Sequence, residues 1–386
     1  MKINLSHLHI SAMILLGFAL HSCSSSDNDQ STTPQDQLFE DRLLTLVPLT
    51  LNNFDVNGMA VAYINSGDVL LKTGFGLADV ASNTAITPNT IFNVGSVSKM
   101  FTGYGAMNLV RQGKIDLDSP IESYLSTWQL PPSEFNHSKV TLGRLMRHRG
   151  GTSVIGYPGY PFGQPKPTLI ESLSGLGSQG EAVQIIYDPG SDTQYSGGGI
   201  SIMQLAIEEV GEMPFANFMQ SNIFNRFGMT STGFEYTNSV FNQIATPYNR
   251  EKIEVGHTDF TALGAAGMLS NLNDLVDFSL AIINIYNESI SGAPGVDLET
   301  LNKIRNSAIN GTLQWEVAHQ VRGVNGVVLI GHIGTNPGWR TTLHIAPREG
   351  HALITMANGP SGGPDNQIIC EWIREITGVS LAEFCN

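Results

Sequence analysis

The chain has 386 residues, of which 41% are hydrophobic and 8% aromatic, and it carries a net charge of −14. This composition is typical of a globular protein and excludes an intrinsically disordered chain, and the length allows a large buried core. The charge argues against nucleic acid as a partner, because binding to phosphates needs clustered Lys and Arg side chains and no basic run occurs.

The N-terminus has the pattern of a targeting segment. Lys2 is followed by a short apolar run over residues 10–20, too short to span a bilayer and suited to a signal peptide. The run ends in Leu-His-Ser-Cys23, which resembles a bacterial lipobox with Cys23 as the lipidated residue. We therefore predict a lipoprotein signal peptide (1–22), a polar tether (23–38), and export to the bacterial cell envelope with a lipid anchor in the membrane. The alternative is an ordinary signal peptide with an unrelated cysteine.

Strand patterns lie towards both ends of the chain, and helical patterns lie mainly between them. Apolar and β-branched runs predict strands at residues 59–64, 69–75, 313–321, 326–333, 341–346 and 351–358. Apolar residues at helical spacing predict helices at residues 97–111, 199–210, 214–227 and 366–377. The loop over residues 150–167 is long and rich in Gly, Pro and Tyr, which suggests a functional rim.

This order predicts one domain of mixed α/β (α+β) class over residues 39–386. An antiparallel sheet flanked by helices is built from about 45–115 and 300–386, and a mainly helical part over about 116–299 is inserted between them.

Two cysteines remain once Cys23 is assigned to lipid. Exported proteins occupy oxidising compartments in which disulfides persist, so we predict a Cys370–Cys385 disulfide. Two independent thiols are the alternative.

The sequence Ser96-Val-Ser-Lys99 lies where the first predicted helix begins. Residues three apart on a helix share a face, with Cβ atoms about 5–6 Å apart. A serine hydroxyl is a poor nucleophile unless a neighbour accepts its proton, and Lys99 is placed to do so. The motif predicts a serine hydrolase with an acyl-enzyme on Ser96. The alternative is a helix-capping serine followed by a surface lysine.

Two further stretches carry candidate groups. Tyr195 precedes the helix predicted at 199–210, where its phenol can face a cleft; the alternative is a core aromatic with a satisfied hydroxyl. His332-Ile-Gly334-Thr335 lies at the end of a predicted strand, and the Thr335 N–H is a candidate oxyanion donor. The alternative for His332 is a hydrogen-bonded histidine at a strand end.

In the order Ser96-x-x-Lys99, Tyr195-Ser-Gly197 and His332-Ile-Gly334, the chain resembles the class C β-lactamase-like serine hydrolases of the serine β-lactamase and penicillin-binding protein superfamily. The resemblance runs from about residue 40 to 375. It implies the β-lactamase/transpeptidase-like fold, with Ser96 as nucleophile and Lys99 and Tyr195 sharing its proton.

The resemblance also implies an oxyanion hole formed by the N–H groups of Ser96 and Thr335, with Gly197 and Gly334 lining the substrate site. No His-Glu-x-x-His or Cys-x-x-Cys spacing occurs in the sequence, so we expect no metal site, and we predict no cofactor. Whether Lys99 or Tyr195 is the formal base stays open, since the two titrate as a coupled pair.

Two positions depart from the pattern of the family's β-lactamases. Gly197 replaces an asparagine and His332 replaces a lysine, and both changes resemble the esterase and D-aminopeptidase branches. We therefore expect a small ester, a D-amino-acid peptide or a cell-wall peptide as substrate. A β-lactamase or D-Ala-D-Ala carboxypeptidase is the alternative, and a non-catalytic ligand-binding or scaffold protein of the same fold is the alternative from another class.

Overall fold

The structure is a computed structural model that describes residues 38–176, 181–360 and 364–379. The predicted signal peptide, Cys23, the tether up to residue 37 and Cys385 lie outside the described residues. Within the described ranges, no helix combines the length and the apolar character needed to cross a membrane.

An eight-stranded antiparallel sheet forms the centre of the domain, in the order β3-β2-β1-β12-β11-β10-β9-β8. The pairs β4–β7 and β5–β6 form two small separate sheets. The strands are β1 (Gly58–Asn65), β2 (Asp68–Asp79), β3 (Thr84–Ala85), β4 (Ile91–Asn93), β5 (Tyr160–Pro161), β6 (Thr258–Asp259), β7 (Leu269–Asn271), β8 (Leu313–Glu316), β9 (His319–Val324), β10 (Val327–Asn336), β11 (Trp339–Ala346) and β12 (His351–Ala357).

Helices cover the sheet and fill the segment between its two halves. They are α1 (Phe39–Asn53), α2 (Ser98–Arg111), α3 (Leu142–Leu145), α4 (Leu169–Leu173), α5 (Gly197–Gly211), α6 (Phe215–Asn222), α7 (Asn238–Phe241), α8 (Leu272–Tyr286), α9 (Leu298–Asn306) and α10 (Pro364–Thr377). One turn of π-helix, Leu263–Gly267, lies between β6 and β7. The predicted class, an antiparallel sheet with flanking helices, is confirmed.

The pairing of β1 with β12 joins the two ends of the domain, in register from Met59 opposite Ala357 to Ile64 opposite Ala352. β1 is buried on both faces because helices lie on each side. Its odd-numbered side chains pack in one core with residues of α1 and α10, and its even-numbered ones pack in the main core with the helical segment. This explains why β1 is an uninterrupted apolar run without alternation.

Two element predictions are wrong in detail. Residues 313–321 form two paired strands, because Val317 and Ala318 adopt φ angles of 50° and 57° and reverse the chain between β8 and β9. The helix predicted at 214–227 ends at Asn222 and is followed by a 3₁₀ turn, since Ile223 leaves helical geometry with φ −120° and ψ −68°. The N-terminal helix α1, which packs against α10, was not predicted.

Candidate active site

Ser96 lies in a single 3₁₀ turn between β4 and α2. Gly95, immediately before it, has φ +54°, and an added Cβ there would lie 2.6 Å from the Thr335 backbone nitrogen. The Ser98 hydroxyl donates to the Gly95 carbonyl at 2.6 Å and accepts from the Met268 N–H at 3.0 Å. The turn is therefore fixed from two sides, and the half-buried Ser96 side chain is held at a tight bend.

Lys99 lies one turn further on, with its side chain 2% exposed. Its Nζ is 3.0 Å from the Ser96 Oγ and donates to the Ala265 carbonyl, which belongs to the π-helical turn, at 2.6 Å. Burial lowers the pKa of Lys99 from 10.5 to about 7. A large part of Lys99 is therefore an uncharged amine at neutral pH and can accept a proton from Ser96.

Tyr195 approaches the same serine from the loop before α5. Its ring centroid is 4.9 Å from the Lys99 Nζ, and its side chain is hydrogen-bonded to that of Ser96. Burial raises the pKa of Tyr195, and the hydrogen bond to Ser96 opposes this only in part. The phenol therefore keeps its proton at neutral pH and is suited to donate it.

An aromatic cluster of His148, Tyr195, Trp315 and His332 surrounds the phenol. His148 lies 4.6 Å from Tyr195 and 4.5 Å from Trp315 between ring centroids, and Trp315 lies 5.3 Å from Tyr195 and 5.4 Å from His332. His148 Nδ1 also accepts the Ser196 N–H at 3.2 Å, which anchors the residue after Tyr195. The rings of His148 and Trp315, which both lie against Tyr195, thus limit the rotation of its side chain.

His332 is 1% exposed, and its Nδ1 lies 2.6 Å from the Ile333 carbonyl oxygen. Nδ1 therefore carries the proton, and Nε2 has no hydrogen-bond partner among the described residues. Burial, followed by the charge of Lys99, holds the pKa of His332 well below its usual value. A neutral, enclosed imidazole cannot provide the cation that a lysine would provide at this position.

Gly334 allows β10 to approach the turn that carries Ser96. An added Cβ at Gly334 would lie 1.9 Å from the Val94 carbonyl oxygen and 3.0 Å from the Ser96 nitrogen. β10 pairs with β9 only as far as Gly331, so its last residues run beside this turn. The backbone nitrogens of Ser96 and Thr335 are thereby brought close together, the arrangement that an oxyanion hole requires.

Gly197 begins α5 and is covered by the rim loop. Its N–H donates to the Ile155 carbonyl at 3.0 Å, and the Gly198 N–H donates to the Val154 carbonyl at 2.9 Å. An added Cβ at Gly197 would lie 3.1 Å from the Ile155 oxygen. Loop backbone therefore occupies the space into which a longer side chain at this position would extend.

Of the predicted site residues, Ser96, Lys99, Tyr195, His332, Gly334 and Thr335 come together. Cys370 lies apart in α10 and is disulfide-bonded, while its predicted partner Cys385 lies outside the described residues, so that pairing stays a prediction. Across the part of the chain that the structure describes, no group of His, Cys, Asp and Glu side chains is arranged to hold a metal.

His148 and Trp315 also lie at the site, and neither was predicted from the sequence. His148 gave no local sign of its role, because its packing depends on β8, more than 150 residues away in the chain. Trp315 lies in the strand predicted over residues 313–321. Because the turn inside that segment was not recognised, the side of the sheet that the Trp315 side chain faces could not be inferred from the sequence.

The arrangement is a Ser-x-x-Lys centre with a tyrosine beside the serine. The sequence model of the Beta-lactamase family matches residues 50–377. The chain therefore belongs to the Beta-lactamase family.

Individual relatives are distant. The chain is 24% identical over 356 residues to the "Unguisins hydrolase ungD'" of Aspergillus campestris, covering 86% of this chain and 63% of that protein. It is 27% identical over 241 residues to a "Beta-lactamase" of Pseudomonas fluorescens, covering 61% and 63%. The chain thus spans about 63% of the length of these curated relatives. The octameric penicillin-binding protein homologue of Pyrococcus abyssi shares the fold, with a TM-score of 0.74 and 21% identity, covering 88% of this chain and 78% of that one.

Proposed function

We propose that this protein hydrolyses an ester or an amide through an acyl-enzyme on Ser96. The observation that carries the proposal is the buried Lys99 amine, 3.0 Å from the Ser96 Oγ and with a pKa lowered to about 7. No Asp or Glu among the described residues forms an ion pair with this lysine, so no carboxylate holds its proton.

In the first half-reaction, the Ser96 Oγ attacks the substrate carbonyl carbon while Lys99 takes the hydroxyl proton. The N–H groups of Ser96 and Thr335 stabilise the oxyanion of the tetrahedral intermediate. Its collapse breaks the bond to the leaving group, which receives a proton from the Tyr195 hydroxyl, and Lys99 reprotonates Tyr195. Water then attacks the acyl carbon, gives up a proton to the same pair, and releases the acid while Ser96 regains its hydrogen.

We assign Lys99 as the base and Tyr195 as the proton donor. The assignment follows from the opposite effects of burial, which lowers the pKa of an amine and raises that of a phenol. The ordinary pKa of Tyr195 is 10.0 and burial raises it further, so its phenolate is scarce near pH 7. Lys99 is uncharged in a large part of the molecules at that pH.

We further propose a small ester, a D-amino-acid peptide or a cell-wall peptide as substrate. Two observations support this choice over a β-lactam: His332 is neutral and enclosed, and the Ile155 carbonyl occupies the space beside Gly197. The site therefore lacks both the lysine and the asparagine of the family's β-lactamases. The match to a Pseudomonas β-lactamase keeps β-lactam or D-Ala-D-Ala cleavage as the second candidate.

The central test uses a fluorophosphonate probe and a panel of nitrophenyl esters, D-Ala peptides and nitrocefin. Wild type and Ser279→Ala, which removes a buried serine of α8, should be labelled and active, whereas Ser96→Ala should be neither. Equal labelling of Ser96→Ala would exclude Ser96 as the nucleophile. A wild type with neither labelling nor turnover would favour the non-catalytic binding protein, and nitrocefin turnover as fast as ester turnover would favour the β-lactamase.

We also propose that the protein is exported and anchored to the bacterial cell envelope through a lipid on Cys23. The support is the sequence alone, a positive Lys2 followed by a short apolar run that ends at the lipobox-like cysteine. Cells fed labelled palmitate should yield labelled wild-type protein and unlabelled Cys23→Ser protein. Incorporation retained in Cys23→Ser would exclude the anchor.

A further inference from the structure

We propose that Asn336 is a positioning residue that fixes three segments relative to one another. They are the end of β10 with the Thr335 N–H, the turn that carries Ser96, and the π-helical turn whose Ala265 carbonyl accepts from Lys99. The inference rests on the proposed Ser96 chemistry and adds a residue that does not itself touch the reacting atoms. Asn336 is the last residue of β10 and is 7% exposed.

The amide group of Asn336 contacts two other chain segments. Its Nδ2 donates to the Asn93 Oδ1 at 2.6 Å and to the Ala266 carbonyl at 2.9 Å. Both hydrogens of the amide are thus used in buried bonds, to the end of β4 and to the π-helical turn. One side chain therefore links three segments that are far apart in sequence.

Each of these contacts lies one step from a reacting group. The Asn93 Oδ1 also accepts the Gly95 N–H at 2.9 Å, directly before Ser96. Ala266 follows Ala265, whose carbonyl accepts from the Lys99 Nζ at 2.6 Å. Asn336 itself follows Thr335, whose N–H is the proposed second oxyanion donor. Removing the amide removes both of these bonds at the point where the three segments meet.

Where it passes the Ser96 turn, β10 is paired with a neighbouring strand on one side only. After Gly331, β10 has no β9 partner and is paired only with β11, as far as Asn336 opposite Trp339, and the segment Leu263–Gly267 is a single turn of π-helix. A loss of one donor from an oxyanion hole lowers kcat by about 10²–10³-fold, and a displacement of about 1 Å can cost about 10²-fold. We therefore expect Asn336→Ala to lower kcat by about 10–100-fold with little change in KM.

A matched control separates positioning from simple loss of stability. Asn358 is fully buried, and its Nδ2 donates to the carbonyls of Leu77, Ala78 and Thr246, each at 3.1 Å. None of these partners belongs to the proposed site. Asn358→Ala should lower the melting temperature as Asn336→Ala does, and should keep a kcat within about twofold of wild type per folded molecule.

The experiment compares wild type, Asn336→Ala, Asn336→Asp, Asn358→Ala and Ser96→Ala. The aspartate keeps the size of the side chain but replaces the donating Nδ2 by an oxygen, an acceptor that faces the Asn93 Oδ1 and the Ala266 oxygen. It therefore removes both bonds without leaving a cavity, and serves as a second, independent variant beside the alanine. Rates are measured on a nitrophenyl ester and on the matching thionoester, and are divided by the number of sites that the fluorophosphonate labels at saturation.

A sulfur atom is larger and a weaker acceptor than oxygen, so the oxo-to-thiono rate ratio reports the shape of the oxyanion hole. We expect both Asn336 variants to lower kcat and to narrow this ratio, while Asn358→Ala leaves both unchanged. If both Asn336 variants keep the wild-type kcat and the wild-type oxo-to-thiono rate ratio while Ser96→Ala is inactive, the role of Asn336 is overturned and the proposed function is not. Full activity in Ser96→Ala would instead overturn the proposed function.

Discussion

Lys99→Met should remove turnover and at the same time stabilise the folded protein. Wild type holds this amine with a pKa of about 7, whereas its ordinary value is 10.5. At about 1.4 kcal/mol per pKa unit, this shift corresponds to about 5 kcal/mol of instability caused by burying the lysine. Loss of the bonds to the Ser96 Oγ and the Ala265 oxygen offsets about 1–3 kcal/mol of the gain. A net gain of about 2–4 kcal/mol at pH 7 remains.

The gain should depend on pH in a defined direction. The folded protein loses the Lys99 proton near pH 7, whereas the unfolded chain keeps it up to about pH 10.4. Between these values the unfolded state binds more protons, so the unfolding free energy of wild type rises with pH. The advantage of Lys99→Met is therefore largest at pH 7 and below, falls by about 1.4 kcal/mol per pH unit above it, and is lost or reversed by pH 10, where the cost of the two missing hydrogen bonds dominates.

Thermal or urea unfolding of both proteins from pH 6 to 10 measures this difference, because Lys99 is the titrating group that the substitution removes. Ser96→Ala is the matched control: it is inactive but keeps Lys99, so its stability should follow that of wild type across the range. A stability difference between Lys99→Met and wild type that is constant with pH would refute the lowered pKa. Turnover retained in Lys99→Met would refute its role as base.

Three further outcomes follow from the site. The value of kcat/KM should rise with pH through about 7 as Lys99 becomes uncharged, and a flat profile between pH 6 and 8 would contradict this. Gly334→Ala should lower kcat by more than about 10²-fold, because its Cβ would meet the Val94 carbonyl oxygen at 1.9 Å. Gly113→Ala is the control, at a left-handed glycine with no atom within 4 Å of an added Cβ, and it should stay active. Equal kcat values in the two variants would exclude the steric argument. His332→Lys should lower the melting temperature without creating nitrocefin turnover, since the new ammonium group would be enclosed. Faster hydrolysis of nitrocefin than of the nitrophenyl ester by this variant would contradict the prediction.

The parts of the site that follow from local patterns could be predicted from the sequence. Ser96 and Lys99 lie three residues apart at a helix start, so their proximity is a property of helix geometry. The strands at both ends of the chain were recognisable because apolar, β-branched runs are bounded by turn residues. These signals are contained within a few consecutive positions.

The rest of the site depends on contacts between distant segments. The neutrality of His332 results from its burial beside Lys99, and no residue near it in sequence indicates this. Trp315 faces Tyr195 because Val317 and Ala318 reverse the chain in left-handed conformations, which β-branched and alanine residues rarely adopt. Asn336 has no motif of its own, and only the position of Asn93 and Ala266 shows what it joins.

The pairing of the first strand of the sheet with its last has a consequence for how activity arises during synthesis. Thr335 follows Ser96 by 239 residues, since 335 − 96 = 239. At about 5–20 residues per second, a ribosome needs roughly 10–50 s to reach it, and the strand beside it forms later still. Until then the serine and its lysine exist without the strand that completes the oxyanion hole. On the proposed mechanism, a growing chain should therefore be inert, and a product truncated before β10 should contain the nucleophile without being able to transfer an acyl group.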